Sequence, residues 1–126
     1  MTKTETSALR VLVADDDPAI RMLVARVLVR QGYDVSTATD GADAIAQLDQ
    51  SSFDLLVLDL MMPRVDGLGV IAHLQNRGAA TPPILVMTAA SPDILRRLPH
   101  ERIAKVITKP FDLEELMRDA DLAIRK

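Results

Sequence analysis

Five short apolar runs divide this chain of 126 residues, and they limit its fold more than any other feature. The runs are rich in Val, Ile and Leu and mostly do not alternate with polar residues, as is typical of strands buried on both faces of a parallel sheet. A chain of this length is expected to form one domain, because single cores commonly hold roughly 100–150 residues. The predicted strands are Val11–Ala14, Val35–Ala38, Leu55–Leu58, Ile84–Met87 and Val106–Ile107.

The segments between these runs carry helical patterns. Asp17 is a good N-cap, and Pro18 suits the first helical position because its missing N–H would have no partner there. Asp40 and Asp112 are predicted to cap two further helices, and another helix is predicted after Gly67. The apolar face of the first helix is expected to consist of Ile20, Leu23, Val24, Val27 and Leu28.

The segment from Ser91 to Lys105 is the least regular part of the pattern. Ser91 and Pro92 favour the start of a helix, but Pro99 ends any such helix after about two turns. The whole chain still alternates strand and helix, and right-handed connections then place helices on both faces of an open sheet. Ligands bind to such sheets at the carboxyl ends of the strands, near the point where the strand order reverses.

Polar side chains gather at those carboxyl ends. Asp15 and Asp16 follow the first strand, Asp59 the third, Thr88 the fourth, and Lys109 comes shortly after the fifth. Neighbouring carboxylates repel one another, and a hard divalent cation such as Mg²⁺ relieves that repulsion. We therefore favour a metal site here, with solvated loop acids as the ordinary alternative.

Asp59 has a second chemical role open to it, because a carboxylate can attack phosphorus and form an aspartyl phosphate. Lys109 and Thr88 would then contact phosphoryl oxygens, and Lys109 would pair with Asp59 when no phosphoryl group is bound. Each residue also has a plain structural interpretation: a turn-forming Asp, a local Thr turn and a solvated lysine. Asp17 is interpreted as a helix cap only.

Composition excludes several classes of function. Without cysteine the chain has no disulfide, no thiolate zinc site and no thiol nucleophile. A formal charge of -3 and an aromatic content of 2% argue against a nucleic-acid groove, and the apolar runs are too short for a membrane span. His73 and His100 have no metal-ligand spacing and no expected partner. We expect a cytoplasmic protein without a secretory signal, with a flexible lead-in at 1–8 and one domain at 9–126.

Taken together, five motifs resemble the receiver domain of two-component response regulators. They stand in the family's order and at its spacing, and the resemblance extends from Leu9 to Ile124. The motifs are Val11–Pro18 with its acidic residues, Leu55–Pro63 around Asp59, Asp66–Gly67, Met87–Ala89 and Lys109–Phe111.

The resemblance implies an α/β fold of the flavodoxin-like, doubly wound (βα)5 type, with a five-stranded parallel sheet of order 2-1-3-4-5. Asp59 would be the phosphoacceptor. Asp16, Asp59 and the backbone carbonyl of Met61 would hold Mg²⁺, or Mn²⁺ in its place. Asp15 would hold a water bound to that metal.

The same resemblance implies a switch. Thr88 would move to contact the phosphoryl group, and Lys109, joined to Pro110 by a cis bond, would pair with it. The donor would be a sensor histidine kinase or a histidine phosphotransfer protein, and the downstream partner another protein; neither nucleic acid nor membrane is expected as a partner. Val106 departs from the family, which usually has an aromatic residue there whose ring swings inward when the threonine moves.

We expect a stand-alone receiver that is no enzyme beyond its own phosphoryl transfer and slow self-dephosphorylation. The chain ends at Lys126, directly after the last helix, although a fragment of a longer regulator would look the same. Dephosphorylation is expected to be slow because Met61 and Ala90, which flank the acyl phosphate in the family, have no polar group to orient water. Two alternatives stay open. One is a phosphorylation-independent pseudo-receiver, favoured by Val106 and by the irregular fourth helix. The other is a phosphatase of the haloacid dehalogenase type, which would need an acid in place of Met61.

Overall fold

A computed structural model of the chain describes residues 8–77, 81–89, 92–99 and 103–124. Strands and helices alternate strictly along it, and the five strands form one parallel sheet in the order β2-β1-β3-β4-β5. The predicted flavodoxin-like α/β fold with strand order 2-1-3-4-5 is confirmed. The elements are β1 Arg10–Ala14, α1 Pro18–Arg30, β2 Asp34–Ala38, α2 Gly41–Gln50, β3 Leu55–Asp59, α3 Gly67–Arg77, β4 Ile84–Thr88, α4 Pro92–Arg96, β5 Ile103–Thr108 and α5 Leu113–Ile124.

Helices cover both faces of the sheet, so the core has two halves. Alternate residues of a strand point to opposite faces. In β1, Leu12 packs on the side of α2 and α3, while Val11 and Val13 pack on the side of α1 and α5. Leu56 and Leu55 of β3 divide between the two halves in the same way.

The three central strands are buried along almost their whole length, as predicted, but the edge strands are not. In β2 only Ala38 is buried, and in β5 only Ile107. The expectation of strands buried on both faces was therefore wrong for these two. A strand at the edge of a sheet has a neighbour on one side only, and the helices cover it less completely.

Helix α1 begins at Pro18, as the sequence predicts, but its apolar face is narrower than expected. Asp17 caps it by accepting from the Ala19 amide at 2.9 Å. Val24 and Leu28 are buried, whereas Leu23, predicted to face the core, is 44% exposed. Successive residues of a helix are about 100° apart. Leu23 is therefore rotated by about 100° around the helix axis from Val24, away from the face that Val24 and Leu28 bury.

The irregular segment before β5 contains a shorter helix and a longer strand than predicted. Helix α4 ends at Arg96, three residues before Pro99, and β5 already begins at Ile103. Ser91 and His100, singled out in the sequence, lie outside the described residues, as does most of the proposed lead-in at 1–8. Within the described ranges, no helix has the length and apolar character that a membrane crossing requires.

Candidate functional site

Three acidic side chains converge at the carboxyl ends of β1 and β3. These strands are neighbours with Ala14 opposite Leu58, so Asp15 and Asp59 come next on both strands. One carboxylate oxygen from each of Asp15, Asp16 and Asp59 lies within 4.8 Å of the others. Asp15 and Asp59 are buried and Asp16 is exposed, so the cluster opens to solvent on the side of Asp16.

Lys109 supplies the positive charge that faces these acids. Its Nζ donates to Asp15 Oδ2 at 3.0 Å and to Asp59 Oδ2 at 3.2 Å. Its backbone N–H donates to the carbonyl of Thr88 at 2.9 Å, which ties the end of β5 to the end of β4. The Lys109–Pro110 peptide bond is cis.

The backbone fixes the remaining oxygen of each buried carboxylate. Asp15 Oδ1 accepts from the amide of Asp17 at 2.9 Å, and Asp59 Oδ1 accepts from the amide of Met61 at 3.1 Å. In both residues Oδ2 faces Lys109. The two oxygens of Asp59 therefore have different surroundings, because Oδ1 is held by the loop that follows Asp59 and Oδ2 lies beside the ammonium group of Lys109.

Charge in the site is not balanced. Burial raises the pKa of the Asp59 carboxyl, and the charge of Asp15 adds to the rise, against the lowering effect of the Met61 amide and of Lys109. Burial by itself would lower the pKa of Lys109, but its ion pairs with Asp15 and Asp59 outweigh burial and raise it. Three carboxylates cluster here and the ammonium group of Lys109 pairs with two of them, so the site retains an excess of negative charge that a divalent cation can offset.

The other residues singled out in the sequence lie around this cluster at different depths. Thr88 is the last residue of β4 and is fully buried. Met61 is 57% exposed, at the mouth of the site. Val106 is half-buried and packs against the half of the core that contains α2 and α3. Ala90 lies outside the described residues.

Several contacts around the site have no signal in the sequence. The guanidinium group of Arg21 donates to the backbone carbonyl of Asp15 at 2.9 Å, and the amide of Asp15 donates to the carbonyl of Ala38 at 3.2 Å. Arg64, in the loop after Asp59, has a positive φ of 68°. Contacts of this kind depend on which helix and loop termini the fold brings together, and no local pattern reports that.

His73 was expected to have no partner, and this expectation was wrong. Its Nε2 lies 2.9 Å from Asp49 Oδ1, and Arg77 reaches the same oxygen at 3.3 Å. The group joins the end of α2 to α3. The two helices pack side by side, which brings together residues that are 24 positions apart in the chain.

Known proteins place the chain in one family. The family described as "response regulator receiver domain" matches residues 11–121. The chain is 38% identical over 117 residues to the transcriptional regulatory protein TcrA of Mycobacterium tuberculosis, covering 87% of this chain and 44% of that protein. It is 40% identical over 125 residues to the response regulator MprA of Mycobacterium avium, covering 94% and 52%. The chain thus spans about half the length of these relatives.

Solved structures agree with this placement. The response regulator protein TrrA of Thermotoga maritima, solved in complex with Mg²⁺ and BeF, superposes with a TM-score of 0.80 at 30% identity. The match covers 91% of this chain and 98% of that one. With a family match over most of its length, the chain belongs to the response regulator receiver domains of two-component systems.

Proposed function

We propose that this receiver accepts a phosphoryl group on Asp59 from a phosphohistidine, in a reaction that requires Mg²⁺. Receiver domains are signalling modules rather than conventional enzymes, so the chemistry consists of the protein's own modification. The observation that carries the proposal is the position of Asp59. Its buried carboxylate lies between two further acids and Lys109, at the end of a strand where a ligand can reach it.

The transfer step needs few groups from the protein. A carboxylate oxygen of Asp59 forms a bond to phosphorus as the P–N bond of the phosphohistidine breaks, and the electron pair leaves with the imidazole nitrogen, which takes up a proton. Oδ2 is the oxygen beside Lys109, so negative charge on the transferred group develops next to an ammonium. The Met61 amide holds Oδ1 and keeps the carboxylate oriented.

The acidic cluster fits a hard divalent cation. Asp16, Asp59 and the backbone carbonyl of Met61 would hold Mg²⁺ or Mn²⁺, with Asp15 holding a metal-bound water. When bound, the metal supplies charge neutralisation for the phosphoryl oxygens. The three clustered carboxylates, two of them buried, are consistent with this assignment, because such ions prefer oxygen ligands that carry negative charge. The related protein TrrA was solved with Mg²⁺ and BeF, which supports magnesium as the metal.

Phosphorylation then acts on a surface through Thr88 and Lys109. Both contact the phosphoryl group in one state only, so its presence biases the surrounding loops and helices. The donor is a sensor histidine kinase or a histidine phosphotransfer protein, and the output is binding of another protein. Val106 carries no aromatic ring, so the movement passes through Thr88 without a ring swinging behind it. Stand-alone action and a cytoplasmic location remain predictions.

Mass spectrometry of the intact protein after incubation with acetyl phosphate tests the proposal. Wild type should gain one phosphoryl group when Mg²⁺ is present and none in EDTA, and Asp59→Asn should gain none. Asp17→Asn is the matched control, because the Asp17 carboxylate caps α1 and should not affect the gain. No gain in wild type under any condition would favour the phosphorylation-independent pseudo-receiver instead. The phosphatase alternative lacks its second acid, since Met61 stands at that position.

A further inference from the structure

The loop from Leu60 to Asp66, named here the metal loop, closes tightly on itself. It joins Asp59 to α3 and contains Met61, whose carbonyl the proposed function assigns to the metal. The amide of Gly67 donates to the carbonyl of Leu60 at 3.0 Å. A Cβ atom at Gly67 would lie 2.6 Å from the Cα of Leu60, a distance that only glycine tolerates. The two ends of the loop are therefore fixed to each other.

The first turn of α2 forms a second support for the metal loop. Gly41, the first residue of α2, is buried against the backbone of Val65. A Cβ atom at Gly41 would lie 1.7 Å from the Val65 carbonyl oxygen, so the helix and the loop backbone are in direct contact. Contact with the first turn of α2 therefore limits any movement of the loop backbone at Val65.

Arg64 connects the same two elements by charge. Its guanidinium group lies 3.5 Å from Asp40 Oδ2, while Asp40 Oδ1 accepts from the Asp43 amide at 2.8 Å as the N-cap of α2. Arg64 has a φ of 68°, the only positive φ of a non-glycine residue in the described part of the chain. Side chains rarely adopt this left-handed conformation, and residues held in it often lie at functional sites.

We propose that Arg64 is a positioning residue for the metal. By pairing with Asp40 it holds the metal loop against α2 and thereby keeps the Met61 carbonyl in place beside Asp59. The inference rests on the proposed function. The Arg64 side chain is 71% exposed, and an exposed ion pair contributes little to overall stability, so the effect concerns the geometry of the loop rather than the fold.

The sign of the effect separates positioning from simple electrostatics. Arg64 is a cation near a site for another cation, so removing its charge should tighten metal binding if only long-range repulsion matters. If Arg64 positions the loop, removing it should weaken binding. Glycine at position 64 retains the left-handed backbone without strain, and asparagine at position 40 retains the helix cap.

The test is the Mg²⁺ dissociation constant of the unphosphorylated protein, measured by titration calorimetry. Arg64→Gly and Asp40→Asn should each weaken binding by about threefold to tenfold, below the loss seen when partners of direct metal ligands are removed. The double variant should bind no more weakly than either single one, because both remove the same contact. Arg64→Lys, which keeps the charge, should recover most of the affinity. The free energy of unfolding in EDTA should not fall in Arg64→Gly.

Other results overturn the inference. Arg64→Gly with unchanged or tighter Mg²⁺ binding removes the positioning role, and lower stability in EDTA with unchanged affinity makes Arg64 merely structural. If the glycine variant fails to fold, an unchanged affinity in Asp40→Asn removes the positioning role in its place. A wild type that binds no Mg²⁺ refutes the proposed function itself and this inference with it. A wild type that binds Mg²⁺, but no more tightly than Arg64→Gly, refutes the inference alone.

Discussion

The ammonium group of Lys109 lies 3.2 Å from Oδ2 of Asp59, although the two residues are 50 positions apart and β4 separates their strands in the sheet. The same nitrogen also reaches Asp15 at 3.0 Å. Lys109 is thus shared between two buried carboxylates. The pKa of Asp59 is still raised, because burial and the charge of Asp15 outweigh what the Met61 amide and the shared ammonium provide.

A first prediction is that Asp59→Asn raises the free energy of unfolding at neutral pH in metal-free buffer. Burial raises the pKa of Asp59 above its ordinary value of 3.8, so the folded protein holds this proton more tightly than the unfolded chain. The free energy of unfolding therefore falls as the pH rises from the pKa of Asp59 in the unfolded chain through its higher pKa in the folded protein. Asparagine has no carboxyl group to ionise, so the Asp59→Asn variant does not lose stability in this way as the pH rises.

Urea unfolding in EDTA at several pH values measures this effect. The advantage of Asp59→Asn should shrink as pH falls toward 3.8, where the wild-type carboxyl is increasingly protonated in both states. Asp54→Asn removes a carboxylate at the opposite end of β3, just before the strand begins, and so controls for the loss of one negative charge away from the site. A variant at position 59 that is less stable than wild type at neutral pH would contradict the prediction.

The sequence was enough to predict the sheet and the placement of the polar residues at its edge. Uninterrupted apolar runs identified the three central strands, and parallel order then brought Asp15, Asp59 and Lys109 to one place. Local caps were equally readable, because Asp17 and Asp40 act within their own turns. These features depend on neighbours in the sequence or on the direction of the strands.

Contacts between separate elements were not predictable in the same way. Leu23 was expected in the core, since its apolar character does not reveal how wide the buried face of α1 is. The pairing of Lys105 with the buried Asp119 joins β5 to α5, and a lone acid on a helix gives no sign of burial. The left-handed backbone of Arg64 was also missed, because arginine is not typical of that conformation.

A second prediction concerns stabilisation by the metal. Mg²⁺ should raise the free energy of unfolding by about 1.4 kcal/mol when the free ion is at ten times its dissociation constant. Asp16→Asn should lose most of this gain, because the proposed function assigns the Asp16 carboxylate to the metal. Asp17→Asn should retain it, since its side chain faces the first amides of α1 and asparagine caps a helix equally well. Urea unfolding with and without Mg²⁺ gives both values, and equal gains in the two variants would refute the assignment.

A third prediction separates phosphorylation from switching. Thr88→Val keeps the shape of this buried side chain but removes its hydroxyl. Asp59 should still be phosphorylated, at a rate lower by less than about tenfold, the equivalent of one hydrogen bond. The amide chemical-shift changes that phosphorylation causes along β4 and β5 should largely disappear. Thr88→Ser, which restores a hydroxyl, should recover them, and full changes in the valine variant would mean that Thr88 is not part of the switch.

A fourth prediction is that the phosphorylated protein loses its phosphate slowly. Hydrolysis needs a water in line with the acyl phosphate, and Met61, exposed at the mouth of the site, has no polar group to orient one. Met61→Asn should therefore shorten the half-life by roughly tenfold, which is a small effect for a positioned polar group. Release of inorganic phosphate from the purified phosphoprotein measures both rates. A wild-type half-life of seconds, or an unchanged rate in the asparagine variant, would show that the side chain at position 61 does not limit access of water. Leu122→Asn, an exposed position on α5, controls for the substitution itself.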